Sequence, residues 1–343
     1  MLLEGSRMLR EIKRTTTLSV FFAAVLSLAA SNLWALETDQ YVAWGLPLTD
    51  SAQQINQYLE RQVQTVLSDV NEGNWRRRSC RSIVEKIVKM ENDSFAILDK
   101  VEQWAFANPS LDTFPSFIIK PDQVYLNTMY RYAGFTRFVP VAKTIEINGI
   151  RFGTDKLSHF ISVGGEYLKR FQKNTDLQRV LDWGISTEEG IYGYTFSSIF
   201  SYADLEANFQ GMNYLRTFCE GESPLLEQTQ AGWKLAGNID ITPYVTPLWD
   251  ESFNSNFSMP AMWKTIKPYL MAHCDERDSD WVKERFESYR QKLQPNASSE
   301  YLALKIRQRA TPDPRPQSLD VICPSPKMSL SQGSQDFSPE IEE

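Results

Sequence analysis

The stretch GTDKLSHFISVGGEYLKRFQ, residues 153–172, decides the fold of this chain together with SYADLEANFQG, residues 201–211. In both stretches apolar residues recur every three or four positions, which is the spacing of a buried helix face. Gly164 and Gly165 interrupt the first helix and allow a bend or the close approach of another backbone. We expect these helices to form the centre of a mainly helical domain.

Each of the two helices presents a pair of polar side chains four positions apart. The first pair is Asp155 with His159, and the second is Asp204 with Asn208. Residues four apart share one face of a helix. If the helices pack together, these side chains converge with Glu189, which lies between the two stretches in sequence. We therefore predict a polar pocket built from these five residues.

The rest of the chain organises around this segment as a single helical domain over residues 36–310. Asn148 and Gly149 separate two short apolar runs near residues 143–152, which predicts a β-hairpin because a type I′ turn needs positive φ at both turn positions. The region 239–260 is rich in proline and aromatic residues and predicts an ordered irregular segment. Further helices are predicted over residues 50–70, 79–88, 97–104, 175–183, 186–200, 262–274 and 278–293.

The two ends of the chain differ from this domain. A basic stretch at residues 7–14 precedes the apolar run 18–30, and small residues follow, ending at Ala35. This is the layout of a secretory signal peptide, residues 1–35, although an uncleaved N-terminal anchor is the alternative. The apolar run is shorter than the roughly 20 residues that cross a bilayer, and no later segment reaches that length. Residues 311–343 are rich in proline, so we expect a largely disordered tail.

Export places the chain in the periplasm or outside the cell, where disulfides form. The four cysteines allow two disulfides with three possible connectivities, and the sequence leaves the choice open. They lack a CxxC pair, which excludes a zinc-thiolate site. The cysteines are Cys80, Cys219, Cys274 and Cys323.

Composition removes several classes of function. The formal net charge is -7, so there is no excess of basic residues to bind nucleic acid. The chain has two histidines, which excludes a multi-histidine zinc enzyme, and it lacks the GxSxG, HExxH and P-loop motifs. Any bound metal would rely on carboxylates, which favours a divalent cation such as Mg²⁺ or Ca²⁺. The cofactor is otherwise unknown.

The polar residues of the central segment also carry a resemblance. The pattern Asp155-Lys156-x-x-His159-Phe160, then Glu189, then Asp204-Leu205-x-Ala207-Asn208-x-x-Gly211 resembles the VanZ-like family and related periplasmic proteins with a DKxxHF element. The match is confined to residues 153–211. The resemblance implies a helical protein of the cell envelope.

The sequence departs from the family at several positions. Ser198 stands where the family pattern has an arginine, and Tyr192 where it has a glutamine. The family's helices span membranes, whereas the charges of Lys169, Arg170 and Lys173 make the matching helix amphipathic. The resemblance therefore carries over the compartment better than the mechanism.

Two functional hypotheses follow. In the first, the chain is a hydrolase or transferase acting on a lipid or cell-wall substrate: His159 is the acid–base group, the acids orient it or hold a cation, and Lys156 attracts an anionic group. In the second, the chain is a non-catalytic envelope protein, structural or partner-binding, and the same residues form a buried hydrogen-bond network.

Local structural roles support the second hypothesis. Asp155 at a helix start complements the helix dipole. Ser186-Thr-Glu-Glu189 has the form of a capping box, and Ser201-Tyr-Ala-Asp204 has a similar form. Capping explains neither His159 nor Asn208. A wet cleft at His159 would favour an enzyme, and a dry, fully paired cluster would favour the network.

Overall fold

The computed structural model describes residues 38–73, 78–92, 99–108, 110–113, 142–190, 193–194, 197–308 and 318–324. The predicted signal peptide and most of the predicted tail lie outside these ranges. Among the residues described, no helix combines the length and the apolar character needed to cross a membrane.

The fold is mainly helical, as predicted, and its sheets are small two-stranded antiparallel pairs. The helices are α1 (Ala52–Glu72), α2 (Cys80–Glu91), α3 (Lys100–Ala107), α4 (residues 155–174), α5 (Leu177–Glu189), α6 (Tyr202–Arg216), α7 (Pro260–Met271), α8 (Cys274–Arg277), α9 (Asp280–Lys292), α10 (Ala297–Gln308) and α11 (Leu319–Ile322). The strands are β1 (Thr144–Ile147) paired with β2 (Ile150–Gly153), β3 (Ile199–Phe200) paired with β6 (Phe257–Ser258), and β4 (Leu226–Thr229) paired with β5 (Gly232–Leu235).

The predicted hairpin is confirmed, and it positions the start of α4. Ile147 pairs with Ile150 across the turn, and Asn148 and Gly149 have φ values of 53° and 72°. These are the positive angles that a type I′ turn requires. Because β2 ends at Gly153, the chain passes from the hairpin into α4 after a single residue.

Helices α4 and α6 pack together at backbone distance. A Cβ on Gly211 of α6 would lie 1.7 Å from the carbonyl oxygen of Phe160, and a Cβ on Gly164 would lie 2.8 Å from the backbone of Gly211. Such contacts admit glycine alone at these positions. Within α4, His159–Val163 forms a π-helical turn between Asp155–Ser158 and Gly164–Asn174. The glycines therefore bring the two polar faces together.

The structure corrects the prediction around α5. The sequence predicts two helices, over residues 175–183 and 186–200, whereas α5 is one helix that ends at Glu189. The hydroxyls of Ser186 and Thr187 donate to carbonyls one turn earlier in the same helix. The capping box at Ser186–Glu189 is therefore wrong, because these residues lie inside a helix. Helix α10 and the β4–β5 hairpin were not predicted.

The described residues form a large apolar core and two smaller ones, of which the smallest includes Phe200, Leu205 and Phe257. The main core fills the space between α1, α2, the β1–β2 hairpin, α4 and α6. The second core, which includes Tyr41, Trp44, Trp263 and Leu319, joins the N-terminal residues to α7, α9 and α11.

Two disulfides brace these cores. Cys80–Cys219 links the start of α2 to the segment that follows α6, and Cys274–Cys323 links α8 to the end of α11. Both pairs close long loops, of 139 and 49 residues. The second pair fastens a short part of the predicted tail to the domain.

Candidate functional site

The site is centred on a lysine that is fully buried. Lys156, in the first turn of α4, is 0% exposed, and its Nζ contacts three carboxylates. The distances are 2.5 Å to Asp155 Oδ2, 2.6 Å to Asp204 Oδ1 and 2.7 Å to Glu251 Oε1. The three acidic side chains are no more than 4% exposed. Burial of one ammonium among three carboxyl groups is tolerated only because each partner compensates another.

His159 lies one turn further along α4 and contacts both polar residues of α6. Its Nε2 is 3.2 Å from Asp204 Oδ2, and its Nδ1 is 3.1 Å from Asn208 Oδ1. The imidazole is 12% exposed, more than the carboxylates beside it. Since both partner atoms are acceptors, both contacts are hydrogen bonds when both ring nitrogens carry protons, or when the amide of Asn208 is turned. We call Asp155, Lys156, His159, Asp204 and Glu251 the charged cluster.

Ser201, the residue that caps α6, links the side chains of Glu251 and Glu188 to the first turn of that helix. Its hydroxyl donates to Glu251 Oε1 (3.0 Å) and accepts from the backbone N–H of Asp204 (3.1 Å). Its own backbone N–H donates to Glu188 Oε1 (2.9 Å). The predicted cap at Ser201 is confirmed, and it also orients the charged cluster.

The pKa values of the acids follow from their cationic neighbours. Burial raises the pKa of Asp204, but the charges of His159 and Lys156 outweigh burial and hold it below its usual value. Burial raises the pKa of Glu251 to about 7, although Lys156 opposes the shift. Burial, followed by the charge of Asp204, raises the pKa of Glu188 well above its usual value. The cluster thus combines an ionised carboxylate with carboxyl groups that hold protons more tightly.

The carboxylates also have the arrangement of metal ligands. Asp155, Asp204 and Glu251 each offer an oxygen, and these atoms lie within 4.8 Å of one another. The ammonium of Lys156 forms ion pairs with all three residues. It therefore already supplies positive charge where a divalent cation would bind. A cation would have to displace Lys156 from a position with no solvent exposure. The donor set therefore fits the lysine better than a metal.

The structure brings together four of the five residues that the sequence placed in a pocket: Asp155, His159, Asp204 and Asn208. Glu189 is exposed at the end of α5, whereas its neighbour Glu188 is buried and bonded to Ser201. Lys156, which the sequence assigned to an external anion, is instead enclosed by acids of its own chain.

Sequence reasoning missed Glu251 as a member of the cluster. It lies in the segment Trp249-Asp-Glu-Ser-Phe-Asn254, within the region 239–260 that the sequence predicts as an ordered irregular segment. Trp249 is fully buried, and this anchors the loop so that Glu251 turns toward Lys156. The pair of acids Asp250-Glu251 directly after a tryptophan was the available signal.

The comparisons with known proteins give no match: no family model, no curated protein and no solved structure is similar to this chain. The resemblance to the VanZ-like family consequently stays a prediction that rests on the residues quoted above.

Proposed function

We propose that this chain is an exported protein of the cell envelope in which His159 and Asp204 act as an acid–base pair. The reaction class is hydrolysis or group transfer on a lipid or cell-wall substrate. The observation that carries the proposal is the 3.2 Å contact between His159 Nε2 and Asp204 Oδ2, with the imidazole at the solvent-exposed edge of an otherwise buried cluster.

Export to the periplasm, or beyond the cell, is supported by two independent features. The two disulfides are typical of proteins that fold in an oxidising compartment. The N-terminal sequence has the layout of a signal peptide. The resemblance to envelope proteins points to the same compartment and supplies the substrate class.

The chemistry assigned to His159 follows from its two neighbours. Asp204 carries a negative charge that stabilises the imidazolium formed when His159 takes up a proton. Lys156 in turn keeps Asp204 ionised. Proton exchange takes place at Nδ1, because Asn208 is a neutral partner that a substrate group can replace more easily than it can replace a carboxylate.

The second candidate is a non-catalytic protein whose charged cluster holds the domain together. One observation favours it: both ring nitrogens of His159 have protein partners, and Lys156 has no exposure at all. In that case the imidazole never exchanges a proton with a ligand.

A chemical modification experiment separates the two candidates. Diethyl pyrocarbonate modifies accessible, unprotonated imidazoles, and the chain has two histidines. The side chain of His273 is 4% exposed, against 12% for His159. We expect modification of His159 in the folded protein, with His273 protected until denaturant is added. Protection of both histidines would favour the non-catalytic candidate.

The reaction itself is tested on defined substrates. The protein is incubated with vesicles of phosphatidylethanolamine and phosphatidylglycerol, and separately with purified peptidoglycan, and released products are measured by mass spectrometry. His159→Gln should lower the rate by about 100-fold or more, the contribution of a general acid–base group. Glu227→Gln, at an exposed carboxylate paired with Lys234, is the control and should keep the wild-type rate. Release of no product from either substrate by the wild-type protein would contradict the proposal.

A further inference from the structure

The first described residues of the chain lie inside the molecule, against the charged cluster. We call residues 38–46 the N-terminal arm. Thr38, Asp39 and Gln40 are 0%, 1% and 2% exposed, and Gln40–Ala43 forms a short 3₁₀ helix with all four residues buried. The contacts that secure this arm lead directly to the site.

The arm bonds to two of the three carboxyl residues that surround Lys156. The hydroxyl of Thr38 donates to Asp155 Oδ1 at 2.5 Å, on the carboxylate whose other oxygen binds Lys156. The side chain of Gln40 accepts from the backbone N–H of Glu251 at 2.8 Å. The Thr38 bond fixes the orientation of the Asp155 carboxylate, because a carboxylate with its second oxygen bonded cannot rotate freely. The Gln40 bond holds the backbone at Glu251, from which that side chain reaches the lysine.

A glycine keeps the position of Thr38 open. A Cβ added to Gly153 would lie 1.7 Å from Thr38 Oγ1, 2.3 Å from Thr38 Cβ and 2.0 Å from Asp155 Oδ1. Contacts this short cannot be accommodated without moving Thr38 or Asp155. Gly153 thus provides the space in which Thr38 reaches Asp155. This steric fit supports the docking of the arm independently of the hydrogen bonds.

The opposite side of the arm is held by the second core. Tyr41 stacks on His273 with ring centroids 5.4 Å apart, and Trp44 donates from its indole nitrogen to Ser252 Oγ at 2.9 Å. The guanidinium of Arg151 donates to the carbonyl oxygen of Ala43 at 2.8 Å. Residues 38–44 of the arm are therefore enclosed between the charged cluster and an apolar core, and only Gly45 and Leu46 reach the surface.

We propose that the N-terminal arm is part of the site and that Thr38 and Gln40 are positioning residues. Docking of the arm orients Asp155 and Glu251 around Lys156 and, through Lys156, holds Asp204 against His159. Because the arm follows the predicted signal peptide, the site is completed by the first residues of the exported domain. This inference rests on the proposed function, in that it assigns the control of the same site.

The test uses the full chain and needs no substrate. Thr38→Val removes the hydroxyl with little change in shape, and Gly153→Ala fills the space that Thr38 occupies. Thr49→Val is the matched control, since Thr49 is exposed. Hydrogen exchange reports on the backbone amides of residues 38–44, and diethyl pyrocarbonate reports on His159.

Loss of the hydroxyl should accelerate exchange in the arm by about ten- to 100-fold, the effect of a buried hydrogen bond to a charged group. The rate of His159 modification should rise in parallel. Gly153→Ala should act in the same direction, and Thr49→Val should change neither reporter.

The inference is overturned if arm exchange rises while the reactivity of His159 stays at the wild-type value, because the arm is then merely structural. It is also overturned if Thr38→Val leaves arm exchange unchanged. Hydrogen exchange in α1, measured in the same sample, shows whether Thr38→Val has unfolded globally. If it has, the result for Gly153→Ala decides between the two outcomes. If the wild-type protein releases no product while the arm and His159 remain coupled, the proposed function fails and the inference about the arm stands.

Discussion

Asp204 and Glu206 are two acids on the same helix, α6, and they are 3% and 1% exposed. Asp204 faces Lys156 and His159, and their charges hold its pKa below the usual value in spite of burial. Glu206 faces the other side of the helix, where burial raises its pKa. Its Oε1 accepts from Gln210 at 2.9 Å and from two further residues across the packed segments, Thr246 at 3.1 Å and Asn296 at 2.8 Å.

The comparison shows that burial alone does not determine the charge of an acid in this protein. Hydrogen bonds from three neutral donors to one oxygen of Glu206 do not favour the ionised form enough to offset burial. For Asp204, the charges of His159 and Lys156 do offset the effect of burial on its pKa. The charged cluster consequently holds ionised side chains in a buried position. The contacts of Glu206 are instead polar packing between α6 and neighbouring segments.

Removal of the central cation should have the largest effect. Lys156→Met leaves three buried carboxyl groups without their ammonium, and we expect a loss of about 3–5 kcal/mol in the free energy of unfolding. Lys169→Met is the control: Lys169 is 66% exposed in its ion pair with Glu166, so its loss should cost about 1 kcal/mol or less. Urea denaturation at pH 7 measures both.

Equal costs for the two lysine variants would show that the carboxyl groups simply take up protons when Lys156 is gone. The distinction between an ionic cluster and a neutral network would then disappear, and the proposed acid–base pair would lose the charge on which it depends.

Asp204→Asn should have the next largest effect, and its dependence on pH has a defined sign. The pKa of Asp204 is lower in the folded state than its ordinary value of 3.8. Asp204 therefore stabilises the fold above pH 3.8, and this contribution is lost as the pH falls through the folded-state pKa. We expect the variant to be less stable by about 3 kcal/mol at pH 7, the cost of breaking a buried ion pair.

The difference in unfolding free energy between wild type and Asp204→Asn should shrink as the pH is lowered below 3.8. A constant difference from pH 7 to pH 3 would mean that Asp204 contributes shape and hydrogen bonds and no charge. His159 would then lack its ionised partner.

Much of the fold could be predicted from the sequence because its signals are local. The hairpin follows from Asn148-Gly149, and the pairing of α4 with α6 follows from apolar periodicity together with small residues such as Gly164 and Gly211. The four polar residues that meet do so because a spacing of four places Asp155 with His159, and Asp204 with Asn208, on common helix faces.

The rest of the site could not be predicted because it depends on contacts between distant segments. Thr38 lies 117 positions from Asp155, and Glu251 lies 95 positions from Lys156. Neither Thr38 nor Glu251 belongs to a segment with helical or strand periodicity. The choice of Glu189 over Glu188 failed for a different reason. A helix predicted to start at Ser186 presents a different face from one that runs on from Leu177, and a shift of one residue exchanges an exposed acid for a buried one.

The smallest effect is expected at the other acid of the comparison, and its sign is opposite to that of Asp204. Burial raises the folded-state pKa of Glu206 above its ordinary value of 4.5. Its contribution to stability is fully present below pH 4.5 and is lost as the pH rises through the folded-state pKa. Glu206→Gln cannot ionise and keeps a carbonyl oxygen for the same donors, so this variant escapes that loss.

Relative to wild type, Glu206→Gln should be within about 0.5 kcal/mol at pH 4 and should become progressively more stable toward pH 8. Thermal or urea unfolding over that range measures the trend. Glu227→Gln, at an exposed carboxylate paired with Lys234, is the control and should show no such gain. Destabilisation by Glu206→Gln that grows with pH would mean that Glu206 is held as an ion by its neutral donors. Neighbouring cations would then not explain the difference in ionisation between Asp204 and Glu206. The ionised state of Asp204 would not depend on Lys156.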